Sequence, residues 1–393
     1  MTTAIDPSWD ADELTRRVSA AGLRGRGGAW FPVGRKWQAV RIEGGDPLVV
    51  ANGAEGEPGS IKDRFVMTQR PEAVLAGLAV AARAVGAREA VVYLKGSFER
   101  PAKALEAALE RNPPAGLTVR VVRGAESYVA GEETAVLEVL EGRRAWPREK
   151  PPFPAGVGLF GRPTLVQNVE TLARVPAALA DPEGYRACES TLVSLWGHVR
   201  RPGVYEVPLG TPLRRVVDEY GQGAPYGIGW LFPAGPSAAP LPAELADTPL
   251  DPDALRAAGS GLGSASLLVL STSSSSLALA VSLAGFFARE SCGQCPPCTV
   301  GSASLLRVLT ALHDGRARPA DLQNLHEVAG FMRPHGFCAH ARTAAGAVTG
   351  LLERARPAVA ARLRGEADGG TAVRPFDAGS PERAAIEAVL ENT

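Results

Sequence analysis

The sequence predicts an α/β + α fold with three parts: an α/β domain, a smaller β-rich domain and an α-helical domain. Three observations support this prediction. Short apolar runs alternate with longer amphipathic ones over residues 47–122, which is typical of a parallel sheet covered by helices. Two short strands and a turn within 191–207 predict a β-grasp-like unit. After residue 277 the periodic segments are helical and closely connected, which favours a helical bundle.

Length and composition limit the classes of function. The 393 residues suffice for two or three domains, and 42 basic and 42 acidic residues cancel to a formal net charge of zero. Such a chain has no overall field to attract nucleic acid or an anionic membrane. The apolar run Leu277 to Ala288 is shorter than the roughly 20 residues that span a bilayer. We therefore expect no nucleic-acid binding, no membrane insertion and a cytoplasmic chain, with docking on the periphery of a membrane complex left open.

A glycine-rich loop follows a first short helix, which is predicted over Asp10 to Ala21. Five glycines between Gly22 and Lys36 predict that this window forms no regular element. Backbone N–H groups of such a loop approach anions closely, and its basic side chains suit a phosphate; they are Arg24, Arg26, Arg35 and Lys36. The alternative is an ordinary flexible loop with solvated arginines.

The remaining elements of the α/β domain alternate along the chain. The first predicted strand, Pro47 to Ala51, leads into Asn52 to Arg64, and strand ends of this kind hold ligands. A later helix begins near Glu132 and Glu133, carboxylates that also complement a helix dipole. An irregular segment is predicted over 143–168, and a helix from Val166 to Leu179. The other elements are helices over 71–85 and 100–111 and strands over 90–94 and 117–122.

The C-terminal half is predicted to contain four helices followed by a polar tail. The helices cover 277–289, 299–313, 320–333 and 338–356, and a last short helix covers Glu382 to Leu390. The domains are predicted as 1–188 (Rossmann-like), 189–266 (β-grasp), 267–362 (helical, metal-binding) and 363–393 (flexible tail).

Three thiols form a Cys-x-x-Cys-x-x-Cys ladder at the start of the second of these helices. Cys292, Cys295 and Cys298 with the remote Cys338 predict a four-iron four-sulfur cluster, because this spacing is common at such centres. Zinc remains an alternative, with His340 or His335 in place of one thiol. Disulfides are disfavoured, since no apolar export segment begins the chain and five cysteines cannot all pair.

The glycine loop, Asn52 to Arg64, Tyr128 to Thr134, Lys150 to Pro154 and the cysteine ladder together closely resemble one family. It is the NADH-binding flavoprotein subunit of respiratory complex I, with relatives in soluble hydrogenases and formate dehydrogenases, and the likeness covers about residues 14 to 360. The resemblance implies a Rossmann-like FMN and NADH domain, a β-grasp (SLBB-like) domain and a cluster-bearing helical bundle.

The resemblance also implies site residues, none of them an acid or base for hydride transfer. Residues implied at FMN are Gly25, Arg26, Gly27, Gly28, Lys36, Asn52, Glu55, Gly56, Tyr128, Gly131, Glu132 and Asn168. Residues implied at NADH are Phe31, Glu57, Glu133, Lys150 and Phe153, with the phenyl rings on either side of adenine.

The chain departs from the family pattern at several of these positions. Trp30 replaces a glycine, and an indole there is expected to fill the isoalloxazine slot. Ala54 replaces an aspartate beside the flavin, so an acceptor for the ribityl chain is lost. Other departures are Gly56 for serine, Ala130 for cysteine, Gln167 for asparagine and the missing aromatic residue near Ala39.

The first functional hypothesis is a flavoprotein, a paralogue outside complex I, that oxidises NADH through FMN and a [4Fe–4S] cluster. A ferredoxin-like or two-iron two-sulfur subunit would accept the electrons, within a larger oxidoreductase complex. Glu133 favours NADH over NADPH, since a carboxylate repels a 2′-phosphate. The alternatives are a flavin-free iron–sulfur relay or scaffold blocked by Trp30, and a zinc-holding assembly subunit.

Overall fold

A computed structural model describes residues 6–391 of the protein. The chain forms two compact units. The first comprises the chain through Gly56 together with Ile61–Thr191, and the second comprises Glu57–Ser60 and the chain from Leu192 onward.

The first unit is built on a four-stranded parallel sheet with the order β3-β2-β1-β4. Its strands are β1 (Leu48–Asn52), β2 (Glu89–Lys95), β3 (Thr118–Gly124) and β4 (Thr164–Asn168). Its helices are α1 (Ala11–Ala20), α2 (Val33–Glu43), α3 (Lys62–Gln69), α4 (Pro71–Val85), α5 (Glu99–Arg111), α6 (Glu133–Leu140), α7 (Val169–Ala180) and α8 (Pro182–Ala187). The predicted Rossmann-like α/β arrangement is confirmed.

Helices α4 and α7 pack closely because of one glycine. A Cβ at Gly77 would lie 1.8 Å from the carbonyl oxygen of Leu172, so any larger residue would push the two helices apart. Pro71 begins α4 at a position that needs no N–H donor, and Gly86 ends it in the left-handed conformation. These signals explain why the predicted bounds of this helix agree with the structure.

Three local predictions in this unit are wrong. Helix α2 begins at Val33, inside the window predicted to be irregular, because Gly34 serves helix packing: its Cβ would lie 2.0 Å from Ser19 Oγ. Strand β4 occupies the end of the predicted irregular segment, and α7 begins at Val169 instead of Val166. A short strand buried on both faces lacks the alternation that reveals a strand in sequence. Helix α3 was not predicted.

The second unit contains a five-stranded mixed sheet with the order β6-β5-β9-β7-β8. β5 and β9 are parallel, while β7 is antiparallel to both β9 and β8. The predicted limit between residues 266 and 267 falls within β9, the middle strand, so the sheet continues past it; the domain limits remain predictions. The elements are β5 (Ser190–Gly197), β6 (Gly203–Pro208), α9 (Leu213–Arg215), β7 (Trp230–Pro236), β8 (Leu241–Pro242), α10 (Pro252–Ala257) and β9 (Ser266–Leu270).

The predicted helices of the C-terminal half are all present. They are α11 (Ser276–Arg289), α12 (Pro296–His313), α13 (Pro319–His335), α14 (Ala339–Arg354) and, after α15 (Arg356–Leu363), which was not predicted, α16 (Pro381–Glu391). Helices α12 and α13 meet where a Cβ at Gly301 would lie 2.5 Å from Met332 Sδ. Within residues 6–391, no helix is both long and apolar enough to cross a membrane.

The segment after residue 363 makes contacts that the prediction of a flexible tail did not anticipate. Phe376 is completely buried, with its ring 5.3 Å from that of Phe232 and 6.4 Å from that of Trp196. Thr371 pairs with the serine-rich turn through Ser275 N–H, at 2.8 Å from its carbonyl oxygen. This segment therefore contributes to the core of the second unit.

Candidate functional site

Two asparagines stand side by side at the carboxyl ends of β1 and β4. Asn52 and Asn168 are register partners in the parallel sheet, so their side chains point to the same face. Asn52 Nδ2 donates to the carbonyl oxygen of Gly131 at 2.8 Å, and Asn52 Oδ1 accepts from Ala54 N–H at 3.1 Å. The sheet end, where ligands bind in open α/β folds, thus carries a fixed polar pair.

Glycines allow the surrounding backbone to approach this pair. A Cβ at Gly27 would lie 3.2 Å from Asn168 Cβ, and one at Gly131 would lie 2.6 Å from the carbonyl oxygen of Ala54. Likewise, a Cβ at Gly56 would lie 3.0 Å from the carbonyl oxygen of Tyr128, which begins a short 3₁₀ turn ending at Gly131. The glycine loop, the β1 end and the α6 entrance therefore meet through bare backbone.

Two lysines and two glutamates lie at the start of α6. Lys150 Nζ lies 2.7 Å from a Glu132 oxygen and 2.8 Å from a Glu133 oxygen, and Lys36 Nζ lies 3.0 Å from the other Glu133 oxygen. Burial alone would raise the pKa of Glu133, but Lys36 and Lys150 outweigh it and lower that pKa to about 2. Glu132 also caps α6, accepting from the N–H groups of Thr134 and Ala135. All four side chains remain partly exposed.

Two phenyl rings of the same unit face solvent. Phe31 is 47% exposed and Phe153 is 59% exposed. Burying such rings against a flat heteroaromatic ring is favourable. Both rings therefore offer a face on which a ligand can stack.

A buried ionic cluster adjoins the asparagine pair and was missed by sequence reasoning. It comprises Glu55, Lys62, Asp63, Arg64, Glu170 and Arg174. Lys62 Nζ lies 2.6 Å from Asp63 Oδ1 and 2.9 Å from Glu170 Oε2. The only available signal was the dense charge of Lys62-Asp63-Arg64 directly after a glycine-rich turn.

The four predicted cluster cysteines lie at the N-terminal ends of two helices. Cys295 is the N-cap residue of α12, Cys298 lies in its first turn, and Cys338 is the N-cap residue of α14. Cys295 and Cys298 are each 4% exposed, and all the cysteines are free thiols. Burial raises the pKa of the Cys298 thiol, and the neighbouring Cys295 and Cys292 add to that effect. The three thiols of the ladder lie within seven consecutive residues of the chain, from Cys292 to Cys298.

The two histidines proposed as zinc ligands have other partners. His340 Nε2 lies 2.9 Å from the carbonyl oxygen of Phe287, and His335 Nδ1 lies 2.8 Å from that of Phe331. Within residues 6–391, no three Cys, His, Asp or Glu side chains are arranged to hold a single metal ion. Cysteines around a cubane cluster bind its separate corners and stand farther apart than ligands around one ion.

Comparison with known proteins relates the chain to a single family over most of its length. One NADH-quinone oxidoreductase F protein of Rhizobium meliloti is 38% identical over 377 residues, covering 90% of each chain. The corresponding F protein of Streptomyces coelicolor is 38% identical over 84% of this chain and 78% of its own. The chain belongs to the NADH-quinone oxidoreductase F family.

Family domains match in the order in which the structure shows them. Residues 18–177 match the Nuo51 FMN-binding domain, 192–223 the SLBB domain, and 278–362 the NADH-ubiquinone oxidoreductase-F iron-sulfur binding region. The predicted family, cofactor classes and iron–sulfur centre are confirmed at this level.

The fold is also shared with a chain of a solved NAD+-reducing [NiFe]-hydrogenase. In its H2-reduced state the TM-score is 0.84 at 35% identity over 90% of this chain, and in its air-oxidized state 0.85 at 34% identity over 97%. This member of the oxidoreductase F family spans 63% and 66% of the length of those hydrogenase chains.

The residues present at the sheet end fit a flavin nucleotide. This fit is supported by the fixed asparagine pair and the close backbone approach at Gly27 and Gly131; Gln167 Oε1, buried and without a hydrogen-bond partner within residues 6–391, belongs to the preceding strand position and lies on the other face of the sheet. The predicted FMN and NADH residues of the first unit that are at least partly exposed are Gly25, Gly27, Gly28, Phe31, Lys36, Asn52, Gly56, Tyr128, Gly131, Glu132, Glu133, Lys150, Phe153 and Asn168.

Three other predicted residues form hydrogen bonds or ion pairs with other side chains or backbone of the protein. Arg26 is 1% exposed and its guanidinium donates to Glu189 Oε1 at 2.7 Å, so its side chain supports the loop. Glu55 is 8% exposed and accepts from Asp63 N–H at 3.0 Å, at the start of α3. Glu57 belongs to the second unit, where Ser237 Oγ donates to it at 2.8 Å.

Trp30 takes a backbone conformation that favours glycine, with φ of 54°. Its indole is 6% exposed and lies under the Arg26 guanidinium, 4.3 Å from the ring centroid. Cation–π stacking on Arg26 thus anchors the indole within its own loop.

Proposed function

We propose that the chain binds NADH and FMN in its first unit and a [4Fe–4S] cluster in its second, and oxidises NADH. The observation that carries this proposal is one chain with a glycine-bounded asparagine pair at the end of a parallel sheet and an iron-sulfur binding region that contains the four predicted cysteine ligands. FMN, when bound, supplies the conversion of a two-electron hydride donor into single electrons, which iron–sulfur clusters accept one at a time.

The side chains of the first unit bind and orient, and none needs to act as an acid or base. Asn52 and Asn168 present fixed polar groups, and the close backbone contacts at Gly27 and Gly131 bring the glycine loop and the start of α6 next to them. Phe31 and Phe153 provide exposed faces for adenine stacking. Glu133, ionised at neutral pH, accepts from ribose hydroxyls and disfavours a 2′-phosphate, so we propose NADH as the donor.

Cys292, Cys295, Cys298 and Cys338 are the proposed cluster ligands. Thiolates at helix N-termini are stabilised by the helix dipole, and free backbone N–H groups there hydrogen-bond to sulfur. We propose that electrons then pass to a ferredoxin-like or two-iron two-sulfur subunit of a larger oxidoreductase complex. A cytoplasmic position, peripheral to a membrane complex, completes this proposal.

Flavin retention tests the first half of the proposal. Protein reconstituted anaerobically with iron, sulfide and FMN is expected to keep stoichiometric FMN through gel filtration and to reduce a dye with NADH. Loss of all FMN together with no dye reduction would contradict the proposal and leave the flavin-free relay.

The ligand set is tested by substitution of two cysteines. Cys338→Ser should abolish or convert the cluster, because a remote fourth thiolate is removed. Cys188→Ser is the matched control, since Cys188 is exposed and follows α8 in the sequence. Iron and sulfide content and the EPR spectrum of the reduced protein are measured for both variants. An intact cluster in Cys338→Ser together with a lost cluster in Cys188→Ser would contradict the ligand assignment.

A further inference from the structure

The formal charges of the buried ionic cluster balance one another. Three carboxylates, Glu55, Asp63 and Glu170, face three cations, Lys62, Arg64 and Arg174, so their formal charges sum to zero. The side chains of Lys62 and Glu170 are each 1% exposed. Buried ion pairs often stabilise a fold no better than apolar residues of the same volume, so this cluster calls for a role besides stability.

One contact connects the cluster to the asparagine pair. Asp63 uses one oxygen for Lys62 Nζ, at 2.6 Å, and the other for Asn168 Nδ2, at 2.7 Å. Asp63 is only 6% exposed, so it is shielded from a ligand that contacts Asn168. Any influence of Asp63 on such a ligand therefore passes through the Asn168 carboxamide.

The carboxamide of Asn168 has a single orientation. Its Oδ1 accepts from Glu170 N–H at 3.0 Å and Thr171 N–H at 3.2 Å, as the N-cap of α7. A flipped amide would set its NH₂ against two N–H donors and its oxygen against a carboxylate. The second Nδ2 hydrogen has no protein acceptor within residues 6–391, and the residue is partly exposed. One oriented donor is left for a ligand.

We propose that Asp63 is a positioning residue of the flavin site, which acts through Asn168 and is itself held by Lys62. The inference rests on the proposed function, since FMN is the ligand that receives the oriented donor. A donor fixed before binding loses little conformational entropy when FMN arrives, and it stabilises reduced and oxidised flavin unequally. Asp63 therefore contributes to both the affinity and the reduction potential of bound FMN.

A double-mutant cycle on the full chain, reconstituted with its iron–sulfur cluster, tests the proposal. Asp63→Asn must set an NH₂ group against either Lys62 Nζ or Asn168 Nδ2, so one contact is lost. Asn168→Ser keeps the helix cap, because serine caps as well as asparagine, but removes the amide donor. Asp12→Asn is the control: the Asp12 side chain is 82% exposed in the same unit and forms an ion pair with surface Arg41.

The readouts are the FMN dissociation constant, from flavin fluorescence, and the midpoint potential of bound flavin. We expect each single variant to weaken FMN binding about three- to tenfold, the worth of one hydrogen bond, and to shift the potential. The double variant should bind no more weakly than Asn168→Ser, and the control should match wild type.

Two results would overturn the inference while the proposed function stands. One is wild-type affinity and potential in Asp63→Asn; the other is a double variant whose losses multiply, because Asp63 would then act independently of Asn168. If Asp63→Asn does not fold, Asn168→Ser decides: unchanged FMN affinity would contradict the oriented donor. A wild-type chain that binds no FMN would instead overturn the proposed function.

Discussion

The two proposed cofactor regions differ in the contacts that their side chains make with the rest of the protein. At the sheet end of the first unit, Asn52, Asn168 and Glu133 are fixed by hydrogen bonds and ion pairs to other side chains or backbone. Among the ladder thiols of the second unit, Cys298 has Ser291 Oγ at 3.3 Å, and Cys295 and Cys298 are buried. The nucleotide region is thus held by charged and amide groups, whereas the proposed cluster region presents buried thiols, and the variants below compare buried polar with buried apolar contacts in the two units.

The largest effect is expected where a buried charge loses its partner. Lys62→Met leaves Asp63 and Glu170 without their shared cation and should lower the free energy of unfolding by about 3–5 kcal/mol. Urea denaturation measures it, with Lys103→Met as control, since the Lys103 side chain is 78% exposed. Equal stability of the two variants would show that the buried ionic cluster does not depend on its lysine.

In the second unit the corresponding test removes an aromatic ring. Phe376→Ala should lower the free energy of unfolding by about 3–5 kcal/mol through the cavity it leaves among Trp196, Phe232 and Phe286. Unlike Lys62→Met, it should leave the pH dependence of stability unchanged. Tyr226→Ala is the control, because Tyr226 is 71% exposed. A loss no greater than in the control would mean that the C-terminal segment adds nothing to the core.

The smallest effect concerns pH. Burial first, and then Glu55 and Glu170 against the opposing pull of Lys62, raise the pKa of Asp63 to about 6. Between its unfolded value near 3.8 and about 6, the folded state binds more protons, so Asp63 lowers stability as pH rises through this window. Glu133 acts oppositely: its stabilisation is present above 4.5 and is lost as pH falls towards 2.

Asp63→Asn should abolish only the first of these slopes. The measurement is the urea midpoint from pH 4 to pH 7, in wild type and variant. An unchanged slope in the variant would assign the titration to another group.

Local signals decided how much of the fold could be predicted from the sequence. Pro71 and Gly86 mark both ends of α4, and the thiol spacing of Cys292 to Cys298 indicates a cluster before any fold is known. Strand β4 was not predicted because four of its five residues are buried and show no alternation, directly after a glycine- and proline-rich stretch. The burial of Lys62 was not predicted because lysine is almost always exposed, so only tertiary contacts reveal that its ammonium is buried.

The predicted site residues likewise differ in what the sequence alone could show about them. The resemblance implies a set of residues for the nucleotide site, and the structure adds how buried each of them is. Arg26 and Glu55 support the loop and α3, whereas Lys36, Glu133 and Lys150 keep partly exposed charges. Motif resemblance does not separate residues that touch a ligand from residues that hold the others in place.

An anaerobic NADH titration of the reconstituted chain, followed by flavin absorbance and by EPR, tests electron transfer most directly. We expect the flavin band to bleach and a reduced-cluster signal to appear in the same samples, with the cluster signal missing in Cys338→Ser. A cluster that is reduced by dithionite but stays oxidised after the flavin band has been fully bleached by NADH would contradict the proposed electron path.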